Sequence, residues 1–315
     1  MITTIQQGDS TTIQDRGRFG YQAYGMPVAG AMDQYAYAVA NLLVGNRDDA
    51  AMFEMTGFGG AFKFDEKQFV AVCGADMQGE LNGVSIKNWS SFIIPKGGEI
   101  RFNRTIIGYR TYLAVGGGLE IPMILGSRST YARAKVGGYE GRTLRQGDVF
   151  YVGNDQAGQV QPRNLEVEFI PQYTEEIRLR VLLGPQDDLF TESMIQTFLQ
   201  SVYVVSEQAG RTGYRLKGPM IKPKGKADIV SDAIWQGAIQ ISDNGMPFIM
   251  TADHQTTGGF AKIGSVIRVD LSKLAQARPG DRISFMLVTE EEAIHALRYE
   301  KQSYLRIAAS MNYLS

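Results

Sequence analysis

The chain has 315 residues, of which 44% are hydrophobic and 21% charged, and its formal net charge is -1 at pH 7. This balance is typical of a globular protein with a sizeable core, and it gives no electrostatic reason to expect nucleic acid or an anionic membrane as partner. The single cysteine, Cys73, excludes an intrachain disulfide and any cysteine-rich metal site.

The start of the chain and its hydropathy give an expectation about location. Residues 1–7 lack the charged and apolar regions of a secretory signal. No apolar run approaches the ~20 residues of a membrane span. We therefore expect a cytoplasmic protein that has no membrane or nucleic-acid partner.

The 36 glycines are spread along the whole chain and separate short β-prone segments. Many strands joined by tight turns predict a sandwich or a barrel. The length favours two domains. We expect a mainly β protein with a few helices, an N-terminal unit at 1–165 and a C-terminal unit at 175–315, separated by a proline-containing linker at 154–174.

The first candidate site is a glycine-rich loop that follows two short β-prone runs. Arg16 and Arg18 lie here with little apolar cover, and Asp33 ends the loop. A solvated loop explains this composition, but the planar fork of arginine also suits an anion or carboxylate. Asp33 is also the predicted N-cap of a helix over residues 34–44.

Further β segments are predicted between residues 51 and 115, the last of them running into three glycines at 116–118. No glycine-rich nucleotide-binding motif opens a helix anywhere in the chain. Residues 126–148 are basic and rich in hydroxyls, which predicts a long loop. Its candidates for anion contacts are Arg128, Ser129, Thr130 and Arg142, although a structural loop explains them equally well.

The second half repeats features of the first. Gly-Ala-Phe-Lys-Phe at 60–64 is matched by Gly-Ala-Ile-Gln-Ile at 237–241, and Asp76 follows the first segment at the same distance as Asp253 follows the second. These short matches suggest a duplicated β unit. Helices are predicted at about 188–200 and from an N-cap at Thr289 to about Met311.

The richest polar cluster follows a predicted strand at residues 248–250. Its members combine an acid, an imidazole, an amide, hydroxyls, flexible glycines and an amine: Asp253, His254, Gln255, Thr256, Thr257, Gly258, Gly259 and Lys262. A polar hairpin would look similar. Metal binding is poorly supported, because His254 has no second histidine nearby. A set of fixed polar donors could stabilise an oxyanion without a metal.

Several motifs together resemble one known family. They are Gln14-Asp15-Arg16-Gly17-Arg18-x-Gly20, Gly30-Ala31-Met32-Asp33, Tyr112-Leu113-Ala114-Val115-x-Gly117-Gly118, Leu125-Gly126-Ser127-Arg128-Ser129-Thr130-Tyr131, Gly141-Arg142-x-Leu144-x-x-Gly147-Asp148, Gly213-Tyr214-Arg215-Leu216-x-Gly218, Gly237-Ala238-Ile239-Gln240 and Gln255-Thr256-Thr257-Gly258-Gly259. In this order they resemble the KipA-type biotin-dependent carboxyltransferase family, also called the allophanate hydrolase subunit 2 family. Its bacterial members are largely known as the C subunit of ATP-dependent 5-oxoprolinase.

The resemblance implies a fold and a set of site residues. The fold would be two related cyclophilin-like β-barrel units with a C-terminal helix. The residues carried over onto this chain are Asp253, Gln255, Thr257, Gly258, Gly259 and Lys262. We assign Asp253, Gln255, Thr257 and Lys262 as catalytic. The expected substrate-binding set joins Gly258 and Gly259 to the residues singled out above from composition: Arg16, Arg18, Asp33, Arg128, Ser129, Arg142 and His254. Many relatives have Asp-Arg-Gln-Thr-Thr-Gly-Gly-Tyr-Pro-Lys where this chain has His254, Phe260 and Ala261, so His254 is not expected to be an obligatory catalyst.

The resemblance also implies partners and cofactors. The chain would act with a KipI-like protein and a LamB/YcsF-like protein, the other two components of the complex, to hydrolyse 5-oxo-L-proline to L-glutamate with ATP. It has no biotin-carrier Met-Lys-Met and no nucleotide motif, so ATP, and biotin if it is used, would come from other chains. Two other interpretations stay open: a regulator that antagonises a KipI-type histidine-kinase inhibitor, and a component of a urea or amide carboxylase. The C-terminal helix and β edges would allow a homo-oligomer.

Overall fold

A computed structural model describes residues 1–154, 161–225 and 228–311. The fold is mainly β with a few helices, as predicted. It divides into two compact units: Met1–Arg18, Ala29–Tyr173 and Gln302–Ser315 form the first, and Phe19–Val28 with Thr174–Lys301 form the second. No helix in the described ranges has the length and apolar character needed to cross a membrane.

The first unit contains two antiparallel sheets. Its strands are β1 (Ile2–Gln6), β2 (Ser10–Gln14), β3 (Met52–Thr56), β4 (Phe58–Phe64), β5 (Gln68–Asp76), β6 (Glu80–Leu81), β7 (Val84–Ser85), β8 (Ser90–Ile94), β9 (Glu99–Arg104), β10 (Ile107–Val115) and β11 (Val149–Phe150). One sheet has the order β11-β1-β4-β9-β6-β7 and the other β2-β3-β10-β5-β8.

The core of the first unit lies between these sheets. Phe53 of β3 and Phe62 of β4 belong to different sheets, and their ring centroids are 4.6 Å apart. On its other face the five-stranded sheet packs against α1 (Gln34–Leu43), where Tyr37, Ala40 and Leu43 are buried with Tyr112 of β10. Two packed sheets with a covering helix explain why these strands are apolar on both faces.

The second unit is built around a closed barrel of seven strands. The described part of the unit has nine strands: β12 (Glu176–Leu183), β13 (Val202–Val205), β14 (Gly213–Lys217), β15 (Asp228–Ala233), β16 (Ala238–Ile241), β17 (Pro247–Met250), β18 (Thr257–Phe260), β19 (Lys262–Val266) and β20 (Arg282–Leu287). The barrel order is β12-β19-β16-β17-β14-β13-β20. The other two strands, β15 and β18, pair with each other as a separate two-stranded sheet, which we call the arm.

Two helices of the second half, α2 (Glu192–Gln200) and α4 (Glu290–Ser310), lie close to their predicted positions. The short helix α3 (Leu271–Ala275) was not predicted. Thr289 caps α4 as predicted, since its backbone N–H donates to Glu292 and its Oγ1 accepts from the Glu292 N–H. α2 begins after Thr191 rather than at Asp188, because residues 187–189 form a 3₁₀ turn first.

The unit boundaries differ from the predicted ranges in two places. Phe19–Val28 belongs to the second unit, and the chain from Gln302 onward belongs to the first. The physical reason for the second difference is burial, because Ile307 and Met311 lie in the core cluster beside α1. Of the predicted linker, residues 155–160 lie outside the described ranges.

Candidate functional site

The candidate site is formed where the arm meets the barrel of the second unit. Two cross-strand pairs lie there: Gln240 pairs with Lys262 between β16 and β19, and Asp232 pairs with Gly258 within the arm. The Nζ atom of Lys262 lies 2.7 Å from Oδ2 of Asp232. We call Lys262, Asp232, Gln240, Gly258 and the nearby Trp235 the Lys262 site.

Lys262 is a buried cation held by its surroundings. Its side chain has no exposed surface, and its Nζ lies 5.6 Å from the centroid of the Trp235 ring. The Trp235 indole N–H donates to Oγ of Ser265 at 2.8 Å, which fixes the plane of the ring. The ammonium thus contacts both an aromatic face and a carboxylate in a sheltered position.

Gly184 at the end of β12 allows the chain to approach Lys262. A Cβ on Gly184 would lie 2.1 Å from the carbonyl oxygen of Lys262, so a larger residue does not fit. Two residues later, Oε1 of Gln186 accepts from the Lys262 backbone N–H at 3.2 Å, and its amide donates to Asp232 at 3.4 Å. These contacts position both members of the ion pair.

Asp232 is the exposed member of the pair, with 47% of its side chain accessible. The hydrogen bond from Lys262 lowers the pKa of this carboxyl, with a smaller contribution from the backbone N–H of Ala233. Asp232 is therefore ionised at neutral pH, and it faces solvent where an anionic ligand would approach Lys262.

Gln240 and Gly258 form the other half of the site. The Gln240 side chain is buried, and its Nε2 donates to the carbonyl oxygen of Phe260 at 3.2 Å. A Cβ on Gly258 would lie 2.5 Å from Cδ1 of Ile234 and 3.3 Å from Nε2 of Gln240. Ile234 and the Gln240 amide therefore pack closely against the Gly258 backbone, and a larger residue does not fit there without a shift of these neighbours.

The remaining members of the predicted loop are divided between exposed and buried positions. Gln255 and Thr257 are exposed, and Gly259 is half-buried in β18. Asp253 is buried and accepts from Arg211 in a two-pronged contact, at 2.9 and 2.8 Å. That contact connects the loop to the segment before β14, so Asp253 has a structural partner in addition to its predicted catalytic role.

His254 is almost fully buried, and its Nδ1 contacts the carbonyl oxygen of Gln255 at 2.7 Å. A carbonyl accepts, so the proton is on Nδ1. Burial lowers the pKa of His254, while the contact with Gln255 and the charge of Asp253 oppose this shift. His254 is therefore neutral at pH 7, which suits a structural role.

The other predicted substrate-binding residues belong to the first unit. Arg18 is fully buried; its guanidinium donates to the carbonyls of Ile124 and Ser129 at 3.0 and 2.9 Å. Arg16 is exposed and lies 3.4 Å from Asp48. Arg18 thus anchors the 124–129 loop, whereas Arg16 remains accessible.

Asp33 is the N-cap of α1, as predicted, and accepts from the Ala36 N–H at 2.9 Å. Its second oxygen accepts from the hydroxyl of Tyr173 at 3.1 Å. Both carboxylate oxygens are therefore engaged within the first unit. The substrate-binding role of Asp33 stays a prediction.

Two predicted anion-binding positions in the 126–148 loop surround Asp15. The hydroxyl of Ser129 and the backbone N–H of Arg128 both donate to this buried carboxylate, and Ser127 Oγ donates to it at 2.8 Å. The Arg128 Nε donates to the carbonyl of Ile121 at 3.2 Å. This part of the loop is therefore organised around a carboxylate of the protein itself.

Arg142 forms a two-pronged contact with Asp148, at 2.7 and 2.9 Å, and lies over the ring of Tyr139. Burial alone would raise the pKa of Asp148, but hydrogen bonds from Arg142 and from the Arg145 N–H lower it overall. Arg142 thus holds a turn of the first unit, and its substrate contact stays a prediction.

The Lys262 site can bind or stabilise a negatively charged oxygen. A fixed, sheltered ammonium can bind a carboxylate or stabilise an oxyanion that develops on a carbonyl. No group of three or more His, Cys, Asp or Glu side chains in residues 1–154, 161–225 and 228–311 is placed to hold a metal ion.

Sequence reasoning found Lys262 and Gly258 but missed Asp232, Trp235 and Gln240. Asp232 and Trp235 lie about thirty residues before Lys262, in a segment without a motif. The pairing of the arm brings Asp232 to Lys262, and the hydrogen bond to Ser265 of β19 holds Trp235 beside it. For Gln240 a signal existed, because it ends the Gly237–Gln240 motif and opposes Lys262 in the sheet.

Comparison with known proteins places the chain in a family. The model of the carboxyltransferase domain, subdomain A and B, matches residues 24–287. The C subunit of 5-oxoprolinase from Escherichia coli (strain K12) is 34% identical over 306 residues, which cover 96% of this chain and 96% of that protein. The protein of the same name from Haemophilus influenzae is 32% identical over 305 residues, with 97% and 96% covered.

Enzymes that act on urea are also similar to the chain. Urea amidolyase of Saccharomyces cerevisiae is 33% identical over 305 residues, which cover 91% of this chain and 16% of that one. The crystal structure of the Kluyveromyces lactis urea carboxylase superposes with a TM-score of 0.93 and 29% identity, covering 97% of this chain and 29% of that chain. The chain therefore corresponds to a small part of each urea enzyme.

Proposed function

Because the chain belongs to the family of carboxyltransferase domains with subdomains A and B, we propose that it is the C subunit of a multisubunit 5-oxoprolinase. In this role it acts with a KipI-like partner and a LamB/YcsF-like partner. The complex hydrolyses 5-oxo-L-proline to L-glutamate and consumes ATP. The location of the complex is the cytoplasm.

One observation carries this proposal. The alignment with the Escherichia coli protein covers 96% of both chains, whereas the alignment with the yeast urea amidolyase covers only 16% of that enzyme. The chain thus matches a whole 5-oxoprolinase component but only a segment of a urea enzyme.

The Lys262 site supplies the chemistry that such a component would contribute. The substrate is a cyclic amide with a carboxylate, so its charged and polar groups suit the Lys262 ammonium. The Asp232 carboxylate occupies that ammonium in the structure and would be exchanged for the substrate. Trp235 shelters the ammonium, which strengthens its interaction with a developing oxyanion.

The site does not suit ATP itself. A triphosphate needs several cations or a cluster of backbone N–H groups at a helix N-terminus. The Lys262 site offers one ammonium, already paired with Asp232, and it lies on β19 rather than at the start of a helix. We assign ATP to a partner and derive no step through ATP or biotin in this chain.

Reconstitution tests the proposal. The chain is assayed alone and together with the KipI-like and LamB/YcsF-like partners for 5-oxoproline-dependent ATP hydrolysis and glutamate release. We expect activity in the complex and little from the chain alone. Full activity of the chain alone, or a complex that does not respond to 5-oxoproline, would refute the proposal.

A second candidate function rests on the superposition with urea carboxylase, whose TM-score is 0.93. In that case urea, used in place of 5-oxoproline in the same assay, stimulates ATP hydrolysis. A complex that responds to neither compound leaves the regulatory interpretation, in which the chain binds a KipI-like protein without catalysing a reaction.

A further inference from the structure

Gln240 has a buried polar atom without a partner. The residue is 1% exposed, and its Oε1 makes no hydrogen bond to any described part of the chain. The orientation of the amide is fixed, because Nε2 donates to the carbonyl of Phe260 at 3.2 Å and the reversed amide would place two oxygens together. A buried carbonyl oxygen without a donor is costly, and a ligand N–H could supply that donor.

The position of this oxygen points to a ligand. Gln240 pairs with Lys262 across β16 and β19 at a shift in register. Both side chains reach the arm, because Gln240 Nε2 donates to the carbonyl of Phe260 and Lys262 Nζ donates to Asp232. The Lys262 site therefore contains one acceptor without a partner among the described residues, Oε1 of Gln240, and one donor, Nζ of Lys262. An amide whose N–H and C=O lie on the same side can donate to such an acceptor and accept from such a donor at the same time.

Gly258 lets the arm pack closely against the Gln240 amide. It is half-buried on the arm, and a side chain there would meet Ile234 and the Gln240 amide. A second carboxamide is close by, since a Cβ on Gly258 would lie 3.5 Å from Nε2 of Gln255. The groups nearest to Gly258 are thus two amides and the side chain of Ile234.

We propose that Gln240 is a specificity-determining residue, whose Oε1 accepts the ring N–H of a cyclic amide substrate while Lys262 contacts an oxygen of the same molecule. This inference deepens the proposed function and rests on it. In a five-membered lactam the N–H and C=O are held on one side by the ring, so both contacts form without rotating a bond. A lactone of the same shape lacks the N–H and leaves Oε1 without its donor.

The test is a double-mutant cycle in which one change is made in residue 240 and the other in the ring atom of the ligand. Dissociation constants are measured by calorimetry, on the complex with both partners and without ATP. The ligands are 5-oxoproline and its lactone counterpart, 5-oxotetrahydrofuran-2-carboxylate, in which oxygen replaces the N–H. The variant is Gln240→Met, which keeps the length of the side chain and removes the acceptor.

We expect the unsubstituted complex to bind the lactam about tenfold more tightly than the lactone, the size of one neutral hydrogen bond. In Gln240→Met this preference should disappear, because only the lactam is bound more weakly and the two ligands then bind about equally. A preference that persists in Gln240→Met would overturn the assignment. So would an equal loss of affinity for both ligands, which a purely structural glutamine would produce.

Gln14 provides a matched control. It is also a buried glutamine with an unpartnered Oε1 among the described residues, and its Nε2 donates to Thr12 and to the Thr130 carbonyl. It belongs to the first unit and does not oppose a lysine in its sheet. Gln14→Met should leave the lactam preference unchanged, and a loss of the preference there would count against a specific role of Gln240.

The two proposals fail in different ways. A complex that neither binds nor turns over 5-oxoproline overturns the proposed function and the ligand of Gln240 with it. A complex that turns over 5-oxoproline but shows the same lactam preference with Gln240→Met overturns the role of Gln240 alone.

Discussion

Lys262 and Asp232 form an ion pair of 2.7 Å in which the lysine side chain is fully buried and the aspartate is about half exposed. The pair joins the first residue of β19 to the arm. A buried ammonium with an exposed carboxylate can exchange that carboxylate for an anion from solvent. This asymmetry distinguishes the Lys262 pair from the Arg211–Asp253 pair, in which both side chains are largely buried.

Replacing Lys262 tests the site directly. Lys262→Met keeps the aliphatic stem and removes the charge, so we expect the reconstituted complex to lose about 100-fold or more in turnover, as when one oxyanion donor is removed. Lys273→Met is the matched control, because Lys273 also contacts an aspartate, Asp270 at 2.9 Å, but is half exposed. Comparable losses in both variants would show that the effect is not specific to the site.

Asp253 tests whether the polar loop is catalytic or structural at that position. Because the largely buried Arg211 would lose its two-pronged contact with this carboxylate, Asp253→Ala should lower the free energy of unfolding by about 3 kcal/mol. Urea denaturation measures this, and adding Arg211→Met should restore part of the loss. An inactive Asp253→Ala variant of undiminished stability would instead support the predicted catalytic role.

His254 should make stability depend on pH. Its pKa is lowered in the folded state by burial, so below the unfolded value of about 6.5 the unfolded chain binds the proton more readily. The stabilising contribution is complete above pH 6.5 and is lost as pH falls from there toward the folded pKa. His254→Asn, which retains a donor for the Gln255 carbonyl, should show a smaller loss of urea-denaturation midpoint over that range. Identical pH profiles would contradict this assignment.

Arg18 is a predicted substrate-binding residue, and the structure gives it two loop carbonyls as acceptors. A lysine cannot reach both, so Arg18→Lys should destabilise the first unit by about 2 kcal/mol. The exposed Arg16 is the control, and Arg16→Lys should leave stability unchanged. Thermal unfolding of both variants measures the difference; an Arg18→Lys variant as stable as the original chain would speak against an anchoring role.

Sequence patterns located the helices well because their caps are local. Asp33 and Thr289 accept from backbone N–H groups within the next three residues, so the signal lies in consecutive residues. The polar cluster from Asp253 to Lys262 is visible in the sequence because its residues are close together in the chain, although Thr257–Phe260 forms strand β18. The strand character of residues 60–64 and 237–241 followed from the same short-range patterns.

The strand neighbours could not be deduced in this way. The matching segments at 60–64 and 237–241 lie in β4 and β16, and both are interior strands. β4 pairs with β1 and β9 in an open sheet, whereas β16 pairs with β17 and β19 in the closed barrel. Short sequence matches carry the local strand pattern but not the hydrogen-bonding partner. The end of α4 shows the same limit, since its buried Ile307 and Met311 assign it to the first unit.

The sequence by itself determined that the chain is rich in strands and that Lys262 ends a polar, glycine-containing loop. The tertiary structure decided which groups meet Lys262. Asp232 reaches it through the pairing of the arm, Trp235 through its contact with Ser265 of β19, and Gln240 through the register of β16 on β19. Registers between distant strands depend on the packing of the whole barrel, so no pattern of consecutive residues encodes them.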